Sequence, residues 1–161
     1  MTKGRVRDQS PGGPLGITEE WRLGTERALS REGYRCTAPR RAILDWIAAR
    51  DTAFTPEALA EALEARPEPS SRATVYRLIN WLHAAGWLAR IHTPVPGIPG
   101  KAGLGLSHAY GRALPGHYSA VCGGCGGVLI VRAGDLAAQI APALCGAGFT
   151  VRGHHLELYG L

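Results

Sequence analysis

The first half of the chain alternates apolar and polar positions with helical spacing, most clearly over residues 70–86, SSRATVYRLINWLHAAG. At about 100° per residue, its apolar side chains gather on one arc, namely Val75, Leu78, Ile79 and Leu82. Ser70 or Ser71 can cap the start of this helix, and Gly86 stands where a left-handed residue ends one. The stretch therefore predicts one short amphipathic helix.

The opposite arc of this helix is polar, and it carries Arg72, Ala73, Tyr76, Arg77, Asn80 and His83. Guanidinium, phenol and amide groups near a helix start suit phosphates and base edges. A solvated basic face is the commoner outcome for such a pattern taken alone. His83 is expected on the helix surface, where it faces DNA or solvent.

Three further helices are predicted before this one. The first covers residues 18–32, with Thr18 as its cap, and Gly33 stops it. Thr37 can cap the second, whose first turn tolerates Pro39, and Thr55 begins the third with a proline and an acid behind it. Their inner faces consist of Ile43, Leu44 and Ile47, then Leu59, Ala60 and Leu63.

A strand-like run, residues 87–91, follows the fourth helix, and a second strand is expected around residues 105–110. Three short helices and a β-hairpin make the winged helix-turn-helix plan, in which the third helix of the trio enters the major groove. The sequence thus predicts an arm over 1–17, a winged-helix domain over 18–92, and a glycine- and proline-rich wing or hinge linker over 93–116.

The remaining residues, 117–161, predict a small α/β domain. A strand is expected at 128–131, a helix at 136–144 started by Asp135, and a further strand formed by 149–152 and 155–159. The overall class is therefore α+β. An open, apolar sheet edge invites pairing with a second copy, so we expect a homodimer that presents two recognition helices to two half-sites of double-stranded DNA.

Charge and composition limit the classes of partner that the protein is expected to bind. The 161 residues carry 18 Lys and Arg against 13 Asp and Glu, a net charge of +5, which favours an anionic partner. No apolar run approaches the roughly 20 residues that span a bilayer, and the basic N-terminus lacks the apolar segment of a signal peptide. We expect a cytoplasmic protein without a membrane partner, whose arm is disordered.

The other chemical centre is the C-x-x-C pair Cys122 and Cys125, in HYSAVCGGCGG. Two thiols at this spacing can bind one zinc ion from a tight turn that the glycines permit. A redox dithiol is the alternative, but such a motif opens a helix, whereas a strand-like run follows Cys125. The pair supplies two of the four ligands of structural zinc. Cys145 is expected to be a small core residue.

Histidines are the remaining candidate ligands, and they are His92, His108, His117, His154 and His155. A lone histidine is more often a hydrogen-bonded polar residue than a metal ligand. His117, close to the thiols, is the strongest candidate. Nitrogen and sulfur ligands with few carboxylates suit zinc better than magnesium, calcium or manganese.

The segments TAPRRAIL, TPEALAEAL and ATVYRLINWLHAAGWL resemble the DNA-binding domain of the ferric uptake regulator family, which are bacterial metal-dependent repressors. The resemblance runs from about residue 18 to the end of the sequence. It implies that Tyr76, Arg77 and Arg35 touch DNA, and Arg72 and Thr74 of the same helix complete the candidate set.

The resemblance also implies a second C-x-x-C after the segment Leu-Tyr-Gly, but here residues 158–161, LYGL, end the sequence. Either that zinc site is lost or the chain stops short of the native terminus. Of the family's histidines before the first C-x-x-C only His117 is kept, and His154 matches a ligand position. The pattern favours a zinc-sensing member, with iron or manganese as alternatives.

The leading hypothesis is a metal-responsive, DNA-binding repressor of metal-uptake or metal-homeostasis genes, with no small-molecule substrate other than the metal ion. One alternative is a winged-helix regulator that has lost metal sensing. Another is a zinc hydrolase, but no acid stands at H-E-x-x-H spacing from a histidine. We therefore expect no enzymatic activity.

Overall fold

Four helices precede the first strand, as the apolar periodicity predicted. The computed structural model describes residues 14–66, 69–92, 98, 109–131, 136–146 and 157–161. Within them the elements are α1 (Pro14–Arg31), α2 (Ala38–Ala48), α3 (Pro56–Glu64), α4 (Arg72–Ala84), β1 (Leu88–Ile91), β2 (Ala109–Arg112), β3 (Tyr118–Cys122), β4 (Val128–Val131), α5 (Leu136–Gly146) and β5 (Glu157–Gly160). In this part of the chain no helix is long and apolar enough to span a membrane.

Helix α1 begins earlier than predicted. It starts at Pro14, four residues before the expected cap Thr18, and takes in the end of the expected arm. Proline suits a first helical position, because its missing N–H would have no helical partner there. Thr18 Oγ1 instead accepts a hydrogen bond from Arg112 Nη1 at 2.9 Å. Residues 1–13 of the expected arm lie outside the described residues.

Two of the predicted helix-capping side chains form a cap bond, and Ser70 and Thr37 do not. Thr55 caps α3 by accepting the Ala58 N–H at 3.1 Å, and Ser71 caps α4 by accepting the Thr74 N–H at 3.2 Å. Ser70, the other candidate, is buried and donates to the Pro39 carbonyl at 3.2 Å. Thr37 occupies the cap position of α2, but its side chain makes no cap bond, so that prediction was wrong.

The predicted apolar arcs meet in one core beneath the helix-turn-helix. The largest fully buried side chains of α2, α3 and α4 are Ile43, Leu44, Ile47, Leu59, Leu63, Val75, Ile79 and Leu82. Helix α1 closes this core with Trp21, whose Nε1–H donates to the Trp87 carbonyl at 2.8 Å. Gly86 takes a φ of 79° and ends the turn after α4, as predicted. The core therefore fixes which face of α4 is left outside.

A two-stranded wing follows. Strand β1 pairs antiparallel with β2, with Leu88 opposite Arg112 and Ile91 opposite Ala109. The second strand ends two residues later than the prediction of 105–110, and it lies within the stretch expected to be linker. Residues 105–108 lie outside the described residues.

The second half forms a three-stranded sheet in the order β4-β3-β5. Strand β3 pairs antiparallel with β4 and parallel with β5. The helix predicted at 136–144 is confirmed and runs two residues longer, and the last strand is Glu157–Gly160 where 155–159 was predicted. The part of that strand predicted at 149–152 lies outside the described residues. The α+β class is thus confirmed.

Candidate nucleic-acid interface and metal centre

The polar face of α4 is tied to α3 by two hydrogen bonds. Arg72 Nε–H donates to Glu64 Oε1 at 2.7 Å, and the Tyr76 hydroxyl donates to Glu57 Oε1 at 2.8 Å. These bonds raise the pKa values of Arg72 and Tyr76, because each favours the protonated form of its donor. Both side chains are therefore oriented before any ligand arrives.

Arg77 and Thr74 lie on the same side of α4. Arg77 is exposed, and its Nε–H donates to the Ala73 carbonyl at 3.2 Å. The Thr74 hydroxyl lies 2.9 Å from that of Ser71, so it belongs to the cap network. Four predicted contact residues thus share the first two turns of α4.

An open cleft of about 490 Å³ lies beside these turns, lined by Leu29, Tyr34, Arg40, Thr74, Arg77, Leu78 and Trp81. The Arg40 guanidinium carbon stands 5.3 Å from the centroid of the Tyr34 ring, a cation–π geometry. Arg40 Nη1–H also donates to the Arg35 carbonyl at 2.7 Å. The cleft therefore brings Arg40 on α2 and Arg77 on α4 to one surface, and the exposed Arg35 lies next to it in the turn between α1 and α2.

The outer wall of the cleft is aromatic. Tyr34 meets Trp81 edge to face with ring centroids 6.2 Å apart, and Trp81 Nε1–H donates to Glu32 Oε2 at 2.6 Å. Two arginines and two aromatic side chains that line one cleft form a surface that suits sugar and phosphate.

His83 is exposed, as predicted, but its ring is held by the wing. Its Nδ1 lies 3.0 Å from the Leu88 carbonyl oxygen, and the ring meets Tyr110 edge to face at 5.7 Å between centroids. His83 thus connects α4 with the hairpin.

The C-x-x-C pair lies in a tight turn between β3 and β4. The Cys122 N–H donates to the Gly127 carbonyl at 2.9 Å, and the Gly126 N–H donates back to the Cys122 carbonyl at 2.8 Å. Gly126 takes a φ of 72°, which glycine adopts without strain. The sequence predicted this turn and its glycines.

The turn also prepares one sulfur for a metal. Backbone N–H groups of Cys125 and Gly124 donate toward the sulfur of Cys122 and lower the pKa of that thiol. A thiolate is the form that binds zinc, and strand β4, not a helix, follows the pair. The strand fits half of a zinc site better than a thioredoxin-type dithiol, which opens a helix, whereas a lowered thiol pKa is compatible with both. When bound, zinc supplies coordination bonds that cross-link the two sulfurs.

The described histidines do not complete this site. His117 Nδ1 lies 3.2 Å from the Pro115 carbonyl oxygen, and His92 lies against Glu157, with 3.5 Å between Nδ1 and Oε2. Among the described residues no three His, Cys, Asp or Glu side chains converge. His108, His154 and His155 lie outside the described residues. Cys145, expected in the core, is exposed in the last turn of α5, so that prediction was wrong.

The sequence model of the ferric uptake regulator family matches residues 31–159. The chain belongs to this family. The ferric uptake regulation protein of Campylobacter jejuni is 30% identical over 138 residues, which is 84% of this chain and 82% of that protein. This regulator is thus a metal-responsive, DNA-binding transcription factor and not an enzyme.

The fold of this regulator is similar to the solved structures of known family members. A zinc uptake regulator complexed with zinc and DNA superposes with a TM-score of 0.64 at 22% identity, over 89% of this chain and 91% of that one. The ferric uptake regulator of Pseudomonas aeruginosa with manganese gives 0.52 at 25% identity, over 84% and 95%. The likenesses support the winged-helix and C-terminal-domain architecture.

Sequence reasoning missed several residues of the regulator's polar face. Tyr34, Arg40 and Trp81 line the cleft, and Glu57 and Glu64 hold the side chains of α4. Arg40 carried a signal, since it follows Pro39 in the first turn of α2 beside a second arginine. Glu57 and Glu64 carried no such signal, because nothing in the local sequence distinguishes them from ordinary solvent-exposed acids of a helix.

Proposed function

We propose that this regulator is a zinc-responsive repressor of metal-uptake or metal-homeostasis genes, acting as a homodimer in the cytoplasm. The observation that carries the proposal is the pair of thiols in the tight β3–β4 turn, which backbone bonds between Cys122, Gly126 and Gly127 hold closed. The likeness to a zinc uptake regulator supports zinc over iron or manganese.

The proposed DNA contacts come from one face. Tyr76 and Arg77 on α4 reach base edges in the major groove, with Arg72 and Thr74 beside them and Arg35 on the backbone. Arg72 gives up an exposed ion pair with Glu64 to do so. That exchange costs little, because such pairs contribute about 0–1 kcal/mol.

The proposed zinc ligands begin with Cys122 and Cys125. Zinc takes four ligands in structural sites, so His117, His108, His92 or His154 supplies nitrogen to the rest of the shell. His92 requires a movement away from Glu157, whose carboxylate it now faces.

The homodimer is proposed from strand β5. Leu158 is 45% exposed and Tyr159 74% exposed, on a strand whose described pairing is with β3 alone. An outer edge with exposed apolar side chains favours pairing with a second copy. The two-fold axis then sets two α4 helices against two half-sites.

Affinity for promoter DNA, measured with zinc and with a chelator at one fixed salt concentration, tests the proposal. Salt is held constant because phosphate contacts make affinity depend on it. We expect zinc to tighten binding tenfold or more, a coupling of about 1.4 kcal/mol. Tightening by iron or manganese but not by zinc would contradict the metal assignment. Equal binding in both conditions would instead favour a regulator that has lost metal sensing.

A further inference from the structure

Helix α3 presents a row of carboxylates to the polar face of α4. Glu57, Glu61 and Glu64 follow one another at helical spacing, so they lie on one face of α3. Glu57 accepts from the Tyr76 hydroxyl at 2.8 Å, and Glu64 accepts from Arg72 Nε–H at 2.7 Å. The bond to Glu64 raises the pKa of Arg72, and the charge of Glu61 adds to that effect. Two donors of α4 are therefore already engaged by acids of its neighbour.

The bond to Glu57 decides what the Tyr76 hydroxyl can offer a further partner. A phenol has one hydrogen to donate and an oxygen that also accepts. The hydrogen bond to Glu57 takes up that hydrogen and raises the pKa of Tyr76, so the phenol stays protonated at neutral pH. The acceptor side of the Tyr76 oxygen is what remains for DNA.

Transfer of this hydrogen to a base would be unfavourable. The bond to a carboxylate is charge-assisted, and it is stronger than a neutral bond to a base carbonyl. Breaking it would also leave the charge of Glu57 without its donor in an interface that loses water. Accepting a hydrogen bond breaks nothing, and a hydroxyl that donates to a carboxylate is the better acceptor for it. Tyr76 therefore stays an acceptor when α4 enters the groove.

The major groove distinguishes an acceptor from a donor. The groups there that donate are the N6 amine of adenine and the N4 amine of cytosine, whereas guanine and thymine present the acceptors O6, N7 and O4. Arg77, next in the chain, has donors only and suits guanine. Tyr76 and Arg77 thus offer the groove opposite hydrogen-bonding characters.

We propose that Glu57 is a positioning residue for base readout: it takes the hydrogen of the Tyr76 hydroxyl, so that Tyr76 selects an amine-bearing base, adenine or cytosine, over guanine or thymine at one position of the bound duplex. Without Glu57 the hydroxyl can donate as well as accept, and this discrimination is lost. The inference rests on the proposed DNA contact of Tyr76 and adds the class of base that it reads.

Three variants separate base readout from the general effect of charge. Tyr76→Phe removes the hydroxyl and keeps the ring, and Glu57→Ala releases the hydroxyl. Glu61→Ala, the matched control, removes an equal charge one turn further along α3. The probe is a labelled duplex that the wild-type regulator selects from random sequence, with selections run in parallel in zinc, in manganese and in a chelator.

Each adenine of the selected duplex is then replaced by guanine and each cytosine by uracil, with the complementary base on the other strand. Fluorescence anisotropy at one fixed salt concentration measures the affinities. We expect one position at which the replacement weakens binding tenfold or more in the wild type and in Glu61→Ala, and less than threefold in Tyr76→Phe and in Glu57→Ala. Loss of either acid should tighten binding to all duplexes by a similar factor, because a negative charge near phosphate is removed.

Two results with the variants would overturn the inference. Base discrimination unchanged at every position in Tyr76→Phe would mean that the hydroxyl reads no base. Discrimination unchanged in Glu57→Ala would mean that Glu57 does not set the direction of the hydroxyl.

A base analogue gives a test on the wild type alone. Purine in place of adenine, or pyrimidin-2-one in place of cytosine, removes only the amine at the position identified above. Binding should weaken fivefold or more, and an unchanged affinity would overturn the inference.

The proposed function and this inference fail in different ways. Equal selection in zinc and in the chelator would overturn the zinc response, while base discrimination on that duplex would still decide the inference. A zinc-dependent duplex whose base discrimination survives Tyr76→Phe would leave the zinc response standing and overturn the inference alone. Selection of no duplex in any condition would overturn both.

Discussion

At the scale of single residues, the polar face of α4 is organised by carboxylates of its neighbour. The Tyr76 hydroxyl donates its only hydrogen to Glu57. A ligand can therefore contact its oxygen, as a hydrogen-bond acceptor, and its aromatic ring. Arg72 is held by Glu64, whereas Arg77 bonds only along its own helix in the contacts described above. Arg77 is therefore the side chain best able to enter a groove without breaking a tertiary contact.

The bond to Glu57 predicts a pH effect at Tyr76. Its raised pKa means that the neutral phenol is favoured in the folded state. The associated stabilisation is fully present below the unfolded pKa and is lost as pH rises through the folded one. Titration of ¹³Cζ-labelled tyrosine by NMR, with Tyr76→Phe to assign the signal, should place this pKa above that of free tyrosine. Glu57→Gln should bring it back, and a signal that does not respond to Glu57→Gln would contradict the assignment.

Substitution of Arg77 is expected to lower the affinity for DNA. Arg77→Ala should weaken binding to a duplex selected from random sequence by the wild-type regulator by about 1–3 kcal/mol, because a bidentate contact to a guanine edge is lost. Arg77→Lys is the control for charge, since lysine keeps the charge without the planar fork. Fluorescence anisotropy at fixed salt should find Arg77→Lys nearly as weak as Arg77→Ala. Full recovery by lysine would mean that Arg77 contacts phosphate and reads no base.

At the scale of elements, caps and close approaches decide how firmly α1, α3 and α4 are placed. Thr55 and Thr37 both precede a helix that has proline in its first turn, yet only Thr55 makes a side-chain cap bond. The local sequence predicts a side-chain cap bond at both threonines. The tertiary structure around each turn decides that only Thr55 forms one.

Thr55→Ala should therefore cost about 1 kcal/mol of unfolding free energy, the usual value of a lost cap. Thr37→Ala, the matched control, should cost a few tenths at most, because no cap bond is removed. Urea denaturation with an unchanged m-value measures both. Equal losses in the two variants would contradict the assignment of caps.

Two glycines of α1 predict opposite effects of the same substitution. A Cβ at Gly24 would overlap the Trp87 ring, with Cζ3 2.6 Å away, whereas nothing lies within 4 Å of one at Gly16. Gly24→Ala should destabilise by about 1–3 kcal/mol through overpacking, and Gly16→Ala should stabilise by about 0.5–1 kcal/mol through helix propensity. Thermal unfolding followed by circular dichroism measures both. Stabilisation by Gly24→Ala would show that α1 does not pack on Trp87 as described.

At the scale of the whole molecule, the β4-β3-β5 sheet has to serve both the thiol turn and self-association. The thiol turn and the start of β4 bond to residues 51–54, and the Gly123 N–H of the same turn donates to the Gly160 carbonyl of β5, the other edge strand. One small sheet thus bears both the thiol turn and the edge from which the homodimer is proposed.

The exposed edge of β5 predicts the oligomeric state. The 17.1 kDa chain should sediment as a species of about 34 kDa, twice its mass. Tyr159→Glu should shift it toward monomer, because a charge is placed on the exposed apolar edge. Tyr34→Glu, the same change on the winged-helix half, should leave the dimer intact. Sedimentation equilibrium decides, and a dimer indifferent to Tyr159→Glu would place the interface elsewhere.

The elements that short-range periodicity controls were predictable from the chain alone. The arc of Val75, Leu78 and Ile79 is buried as expected, Gly86 ends the turn after α4, and the C-x-x-C turn precedes a strand. Each depends on residues within a few positions of one another, where backbone sterics and a 3.6-residue repeat are sufficient.

Tertiary structure alone decided the contacts between residues far apart in the chain. Tyr76 meets Glu57 across 19 positions, and Trp81 meets Glu32 across 49. The bonds of Ala53 to Gly126 and of Phe54 to Tyr110 join three elements that no local pattern links. Hydrogen bonds between distant segments depend on how the apolar faces pack against one another, and a repeat along the chain carries no information about that packing.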